Sequence, residues 1–227
     1  MPAGAPRFVG ERAGADEDGR SGLPPEIAPG TALLTGVQGY AGLGATGNAF
    51  GGQFLRSIPA NHAVLTLTNL PEHTTLDLAF LFAAIDSLDG TGTFPAGDFF
   101  EVHVDGVVVF SESFANATAG QIQSYEPPAG VELARHADLG FSGPGSYYTD
   151  SAYDLGADPI FQDIPHTGSS LTLDFFMQGP GNQALEDESW AIDNLSVRVD
   201  TVPEPGSGAL MLAGLAGLAF SATRRLG

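Results

Sequence analysis

Short runs that alternate apolar and polar residues constrain this chain more than any other feature. In His62-Ala63-Val64-Leu65-Thr66-Leu67-Thr68, Leu65 and Leu67 fall on one side and Thr66 and Thr68 on the other. Ser170-Leu171-Thr172-Leu173-Asp174-Phe175 repeats the pattern, and Leu195, Val197 and Val199 continue it near the end. A period of two belongs to a pleated strand, and polar alternate positions belong to an antiparallel sheet with one wet face. Runs rich in Val, Leu, Phe and Thr predict strands at 32–37, 49–55, 62–68, 75–83, 99–104, 107–113, 158–164, 170–178 and 190–199. Asp105-Gly106 stands between two of them, the signature of a two-residue hairpin turn with positive φ at both centres. The expectation is an all-β fold, an antiparallel β-sandwich of jelly-roll type over residues 29–201. Residues 132–137 read as one helical turn and 140–157 as an irregular loop. Residues 1–28 are Gly, Ala, Pro and charge, including Asp16-Glu17-Asp18, and are expected to be disordered.

Residues 202–227 follow different rules. Pro203-Glu204-Pro205 leads into an uncharged run of Gly, Ala, Leu, Met, Phe and Ser over 207–222, and Arg224-Arg225 closes it. Eighteen residues separate Pro205 from Arg224. As a helix they reach about 27 Å, close to the hydrocarbon thickness of a bilayer. The run has no polar face, so a transmembrane helix over 207–222 fits better than a buried helix of the globular domain. The arginines fit its cytoplasmic end. The prolines separate it from the sandwich.

This order of features resembles the PEP-CTERM sorting signal of bacterial exported proteins. The resemblance implies exosortase as the processing partner, cleavage near Pro203, Glu204 and Pro205, and Arg224 and Arg225 as the basic end. It also implies a transient or permanent membrane anchor through the C-terminal helix, a cell-envelope or secreted location, and a non-enzymatic role in extracellular polysaccharide or biofilm matrix. A secretory signal would be expected at the start, but residues 1–25 hold no apolar stretch. Either the true start lies upstream or export takes another route.

A second resemblance covers about 120 residues. Ile85-Asp86-Ser87-Leu88-Asp89-Gly90, Gly97-Asp98-Phe99-Phe100-Glu101-Val102-His103-Val104-Asp105-Gly106 and Glu188-Ser189-Trp190-Ala191-Ile192-Asp193-Asn194 look like blocks of lectin-like jelly-roll domains of exported bacterial proteins. Leu88 stands where that family usually has Trp. The resemblance speaks for the fold and little for function, because such scaffolds host many roles.

Asp86, Asp89 and Asp98 flank the Gly-rich loop 90–97, and Asp187 and Glu188 enter the last strand. Loop carboxylates with backbone carbonyls are what Ca²⁺ takes as ligands, so one structural Ca²⁺ bridging the Asp86–Asp98 loop and the Asp187–Glu188 corner is expected. The competing reading makes these acids solvated turn and capping residues. Asp193 and Asn194 are expected to satisfy backbone groups at a bulge. Tyr147, Tyr148 and Tyr153, among Gly, Ser and Asp, form a candidate sugar-stacking surface, which makes a Ca-stabilised carbohydrate-binding module the alternative function. A packed loop whose tyrosines cover the sheet is the competing reading.

Other chemistry is absent from the pattern. Net charge is −19, with eight arginines and no lysine, which argues against nucleic acid as a partner. There is no cysteine, so disulfides cannot staple the fold. Gly42-Leu43-Gly44-Ala45-Thr46-Gly47 imitates a dinucleotide fingerprint by letter, but no helix follows it. The five histidines share no metal spacing, and His103, alternating with Val102 and Val104, is expected to face solvent. Ser142 is no nucleophile elbow, because Pro144 breaks the motif. No pair of acids is marked above the rest for glycoside hydrolysis, so a polysaccharide-acting enzyme on the same scaffold is the last of the three readings.

Overall fold

The computed structural model describes residues 32–36 (backbone), 40–91, 97–116, 120–140, 148–180, 183–185 and 187–201. The predicted tails 1–28 and 202–227, with the sorting residues and the apolar run, lie outside the described residues. Among those described, no helix is long and apolar enough to cross a membrane.

Thirteen strands are described: β1 (Ala32–Gly36), β2 (Gly44–Ala45), β3 (Asn48–Ala49), β4 (Gln53–Ser57), β5 (Ala63–Thr68), β6 (His73–Asp86), β7 (Phe99–Val104), β8 (Val107–Ser113), β9 (Glu132–Ala137), β10 (Asp150–Asp154), β11 (Ile164–Pro165), β12 (Ser170–Gln178) and β13 (Glu188–Thr201). The first sheet runs β1-β4-β13-β6-β10-β9, with β11 also paired to β6; the second runs β5-β12-β7-β8; β2 and β3 form a ribbon. Every described strand pairing is antiparallel. The all-β sandwich expected from alternation is what forms.

The inward faces of the two sheets meet in one core. Leu76, Leu78, Phe80, Phe82 and Ala84 of β6 lie against Phe100, Val102 and Val104 of β7 and Leu171, Leu173, Phe175 and Met177 of β12. Trp190 and Ile192 join from β13, and the Trp190 indole N–H donates to the Ile58 carbonyl at 3.0 Å. Leu88 is buried in the same core, so the position where the resembled family carries Trp is a packing position here.

The first sheet departs from the wet-face expectation. Leu81, Ala83 and Ile85 of β6 and Ala191 of β13 pack outward against Tyr40, Phe50 and Phe54. Residues 40–54 cover this face, and the unbroken apolar run Ala79–Ile85 is its sequence trace.

Three local expectations change. Residues 132–137 form the edge strand β9, not a helical turn, because they pair with β10. Residues 150–154, placed in a loop, are β10, whose Ser151, Ala152 and Tyr153 pair with Ala84, Ala83 and Phe82. Residues 158–164 are not a continuous strand. Pro159–Phe161 is a 3₁₀ turn capped by Asp158, whose carboxylate accepts the Ile160 N–H at 3.0 Å. The expected bulge lies between Asp193 and Ser196. Asn194 has φ +53 there, its amide donates to Ala49 O at 2.9 Å, and Asp193 accepts the Gly51 N–H at 3.0 Å.

β6 and β13 are antiparallel over fourteen residues each, with Glu188 opposite Asp86 at one end and Thr201 opposite His73 at the other. At about 3.3 Å per residue these two poles stand roughly 40 Å apart.

Candidate metal centre

The pole where β13 begins gathers carboxylates. β6 ends at Asp86, whose φ of +64 turns the chain. Buried Leu88 then anchors the turn, and its carbonyl accepts the Asn116 N–H at 2.9 Å. That sets Asp89 beside Asp98, which precedes β7, and Glu188, which opens β13. Oxygens of Asp89, Asp98 and Glu188 lie within 4.8 Å of one another. Asp98 and Glu188 are buried and Asp89 is half-buried.

Glycine makes the space. A Cβ on Gly179 would stand 2.5 Å from Asp98 Oδ1 and 2.8 Å from the Gly97 carbonyl. The Gln183 N–H and side-chain amide donate to Glu188 at 3.2 and 3.0 Å. The Gln121 amide donates to Asp89 at 2.7 Å. No basic side chain forms an ion pair with these acids among the described residues.

Burial, and then repulsion by Asp98, push the Glu188 carboxyl up to about 8. Burial is also the main cause for Asp98, pushed up to about 6, and for Asp89, whose rise the hydrogen bond from Gln121 partly offsets. Acids forced together this way hold protons more tightly than free carboxyls, or take a cation in their place. An all-oxygen donor set suits a hard divalent ion. Ca²⁺ binds oxygens at about 2.3–2.6 Å, and carboxylate oxygens this close together fit around such an ion.

Two of the five expected acids are engaged elsewhere. Asp86 Oδ1 accepts the Tyr148 N–H at 2.8 Å, and the Asp86 N–H donates to Asp150 at 3.1 Å. Asp187 accepts from the Ser87 hydroxyl through both its carbonyl and its carboxylate, at 2.9 and 3.1 Å. The capping role weighed for these acids describes that pair.

The tyrosines divide as well. Tyr153 is buried in the core, its hydroxyl donating to Gln123 Oε1 at 3.3 Å, so it cannot stack on a ligand. Tyr148 is 48% exposed. Tyr147 lies outside the described residues.

Other polar groupings were not legible in the sequence. His103 is half-buried rather than solvent-facing. Its ring donates to Glu101 at 2.7 Å, and Ser111 and Gln178 donate to the same carboxylate. These hydrogen bonds hold the Glu101 carboxyl below its usual value despite burial, the largest single influence, which acts the other way. Only the alternation of Phe99, Glu101 and His103 hinted that they share a face. An open cleft of about 440 Å³ runs past Gln121, Gln123, Glu126, Glu132 and Arg135. Gln121 connects it to Asp89.

Sequence comparison identifies a PEP-CTERM protein-sorting motif at residues 201–225. No curated protein matches the chain. Among solved structures, the CBM22-1 xylan-binding domain of Paenibacillus barcinonensis Xyn10C aligns over 78% of this chain and 86% of its own, at 12% identity and a TM-score of 0.32. Dimeric latent PorU from Porphyromonas gingivalis aligns over 74% of this chain and 13% of its own, at 12% identity and a TM-score of 0.32. SGBP-B from a complex xyloglucan utilization locus in Bacteroides uniformis aligns over 75% and 46%, at 13% identity and a TM-score of 0.30. Likenesses this distant say nothing about what the chain binds.

Proposed function

We propose that this chain is a non-enzymatic exported protein, delivered to the cell envelope or beyond as an exosortase substrate. Its β-sandwich serves in extracellular polysaccharide or biofilm matrix and is stabilised by a divalent cation, Ca²⁺, held by Asp89, Asp98 and Glu188. The observation that carries the sorting role is the position of the motif: it begins at Thr201, the last residue of β13. The described sandwich ends at the residue where the signal starts. The tail inserts in the membrane, Arg224 and Arg225 hold its cytoplasmic end, and cleavage near Pro203-Glu204-Pro205 frees the sandwich. The carboxylate pole, at the other end of β13, points away from that attachment.

Intact mass of the protein recovered from the medium and envelope of an exporting host tests this. A mature form ending near Pro203 to Pro205 is expected, and a chain combining Glu204→Ala with Arg224→Ala and Arg225→Ala should accumulate unprocessed. Full-length protein retained in the membrane would refute the exosortase role and leave 206–223 as a permanent anchor, and a variant processed like the wild type would refute the roles given to Glu204, Arg224 and Arg225.

A further inference from the structure

His73 and His166 meet at the pole from which the sorting motif departs. His73 opens β6 and is 4% exposed; His166 follows β11, and its side chain is 6% exposed. Three contacts run in a line through them. His73 Nδ1 lies 2.6 Å from the Pro71 carbonyl oxygen. His73 Nε2 lies 2.6 Å from His166 Nδ1. His166 Nε2 lies 3.0 Å from Asp105 Oδ2. The ring centres are 4.9 Å apart and the planes differ by 17°. With the two nitrogens so close between those centres, the rings meet edge to edge and their lone-pair directions face each other.

Counting protons decides what this line can be. Both its ends are acceptors: a carbonyl oxygen has no proton to give, and the ionised Asp105 carboxylate has none either. The other Asp105 oxygen already accepts the Thr172 N–H at 2.8 Å. Three contacts need three protons, and two neutral imidazoles bring two. With two, one contact sets a pair of acceptors against each other, either among the buried ring nitrogens or at Asp105, whose side chain is 46% exposed. With four, two N–H groups collide between the rings.

We propose that His73 and His166 share one extra proton, as an imidazolium–imidazole pair whose charge balances Asp105, and that the pair is a pH-sensitive clasp between the sheets. His73 belongs to the first sheet, Asp105 to the β7–β8 turn of the second, and His166 joins them. A metal ion in place of the proton, with bonds of about 2.0 Å to each nitrogen, would hold those nitrogens about 3.3 Å apart in tetrahedral geometry. The observed 2.6 Å is too short for that and lies just under the usual range of about 2.7–3.2 Å for an N–H hydrogen bond. Of the other titratable groups at this end of the neighbouring elements, Glu72, Asp77, Asp163 and Asp200, none bonds either ring among the described residues. Asp77 accepts the Asp163 N–H at 2.9 Å, and Asp200 lies 3.7 Å from Arg198.

The pH dependence follows from proton number. Unfolded, each histidine titrates near about 6.5. Above that pH the unfolded pair binds no proton and the folded pair binds one, so the pair's contribution to stability falls as pH rises. Below it the unfolded pair binds two and the folded pair one, so the contribution falls as pH drops. It peaks near about pH 6.5.

Asp105→Asn separates this from a merely structural role. Asn-Gly suits the same hairpin turn. Its amide oxygen can accept the Thr172 N–H while its NH₂ donates to His166, which fills all three contacts without an extra proton. The experiment is ¹⁵N NMR of histidine-labelled full-length chain in detergent micelles near pH 6.5. The expected count of protonated ring nitrogens across the pair is three in the wild type and two in Asp105→Asn. The wild-type minus variant difference in Tm should fall as pH rises above about 6.5. Two protonated nitrogens in the wild type, or the same count in both proteins, would overturn the proposal. So would a zinc-dependent rise in Tm that His166→Gln abolishes, because a metal would then hold the proton's place.

Discussion

At the scale of single residues, Glu188 ties the candidate metal centre to stability. Its carboxyl is pushed from an ordinary 4.5 up to about 8, and that of Asp98 from 3.8 up to about 6. A folded state that binds more protons than the unfolded one loses stability as pH rises, so the cation-free protein should weaken between about pH 4 and 8. A Ca²⁺ bound there would replace those protons, so its stabilising effect should be large at about pH 8 and small at about pH 5. Glu188→Gln removes the buried charge. It should raise the cation-free stability at about pH 8 by on the order of 1–3 kcal/mol, the scale of an uncompensated buried polar group, and abolish the response to Ca²⁺. Thermal melts in EGTA and in excess Ca²⁺, at both pH values, check this. A wild-type melt indifferent to either addition would remove the cation from the account. Asp89 and Asp98 were visible in the sequence as acids flanking a glycine loop. That Asp86 and Asp187 would turn to Tyr148 and Ser87 was not visible, because those partners are 62 and 100 residues away.

At the scale of elements, β6 is the strand on which most of the molecule depends. Phe80, Phe82 and Ala84 fill the space between the sheets, while Leu81, Ala83 and Ile85 fill the core outside the first sheet. Phe82 is fully buried, with its ring centre 4.3 Å from that of Phe100 and 4.6 Å from that of Phe114. Phe82→Ala should cost about 3–5 kcal/mol, the range for deleting a core aromatic, read as a lowered midpoint in urea with the slope unchanged. The β7–β8 hairpin was legible because a two-residue turn is a local choice: Asp105 and Gly106 adopt φ of +50 and +78 as that turn demands. β9 and β10 were not legible. The edge strand β9 gets its identity from the neighbour that pairs with it, and Glu132–Ala137 carries no alternation of its own; β10, between β6 and β9, is a short strand next to an irregular Gly- and Tyr-rich stretch.

At the scale of the whole molecule, β13 sets a direction. It begins at the three carboxylates and ends where the sorting motif begins, so the two functions proposed here sit at opposite ends of one strand. The described packing is complete by Thr201. A chain that stops there should therefore melt within a degree or so of the full chain by calorimetry in the same detergent, since surface changes away from packed features usually alter stability by less than about 0.5 kcal/mol. A marked loss would mean that residues 202–227 pack on the sandwich as well as direct its export.

The sequence by itself determined whatever depends on neighbours along the chain. Alternation specified β5, β12 and the second half of β13, Asp105-Gly106 specified the hairpin, and the linear order of Pro-Glu-Pro, apolar run and arginines specified the sorting motif. Tertiary structure alone decided what depends on approach through space. It chose Asp89, Asp98 and Glu188 from the many acids, buried Tyr153, covered both faces of the first sheet, and set His73 against His166 across 93 residues. The physical reason is range: turn geometry and strand period act over a few residues, whereas burial and hydrogen bonding between side chains depend on which strands lie side by side.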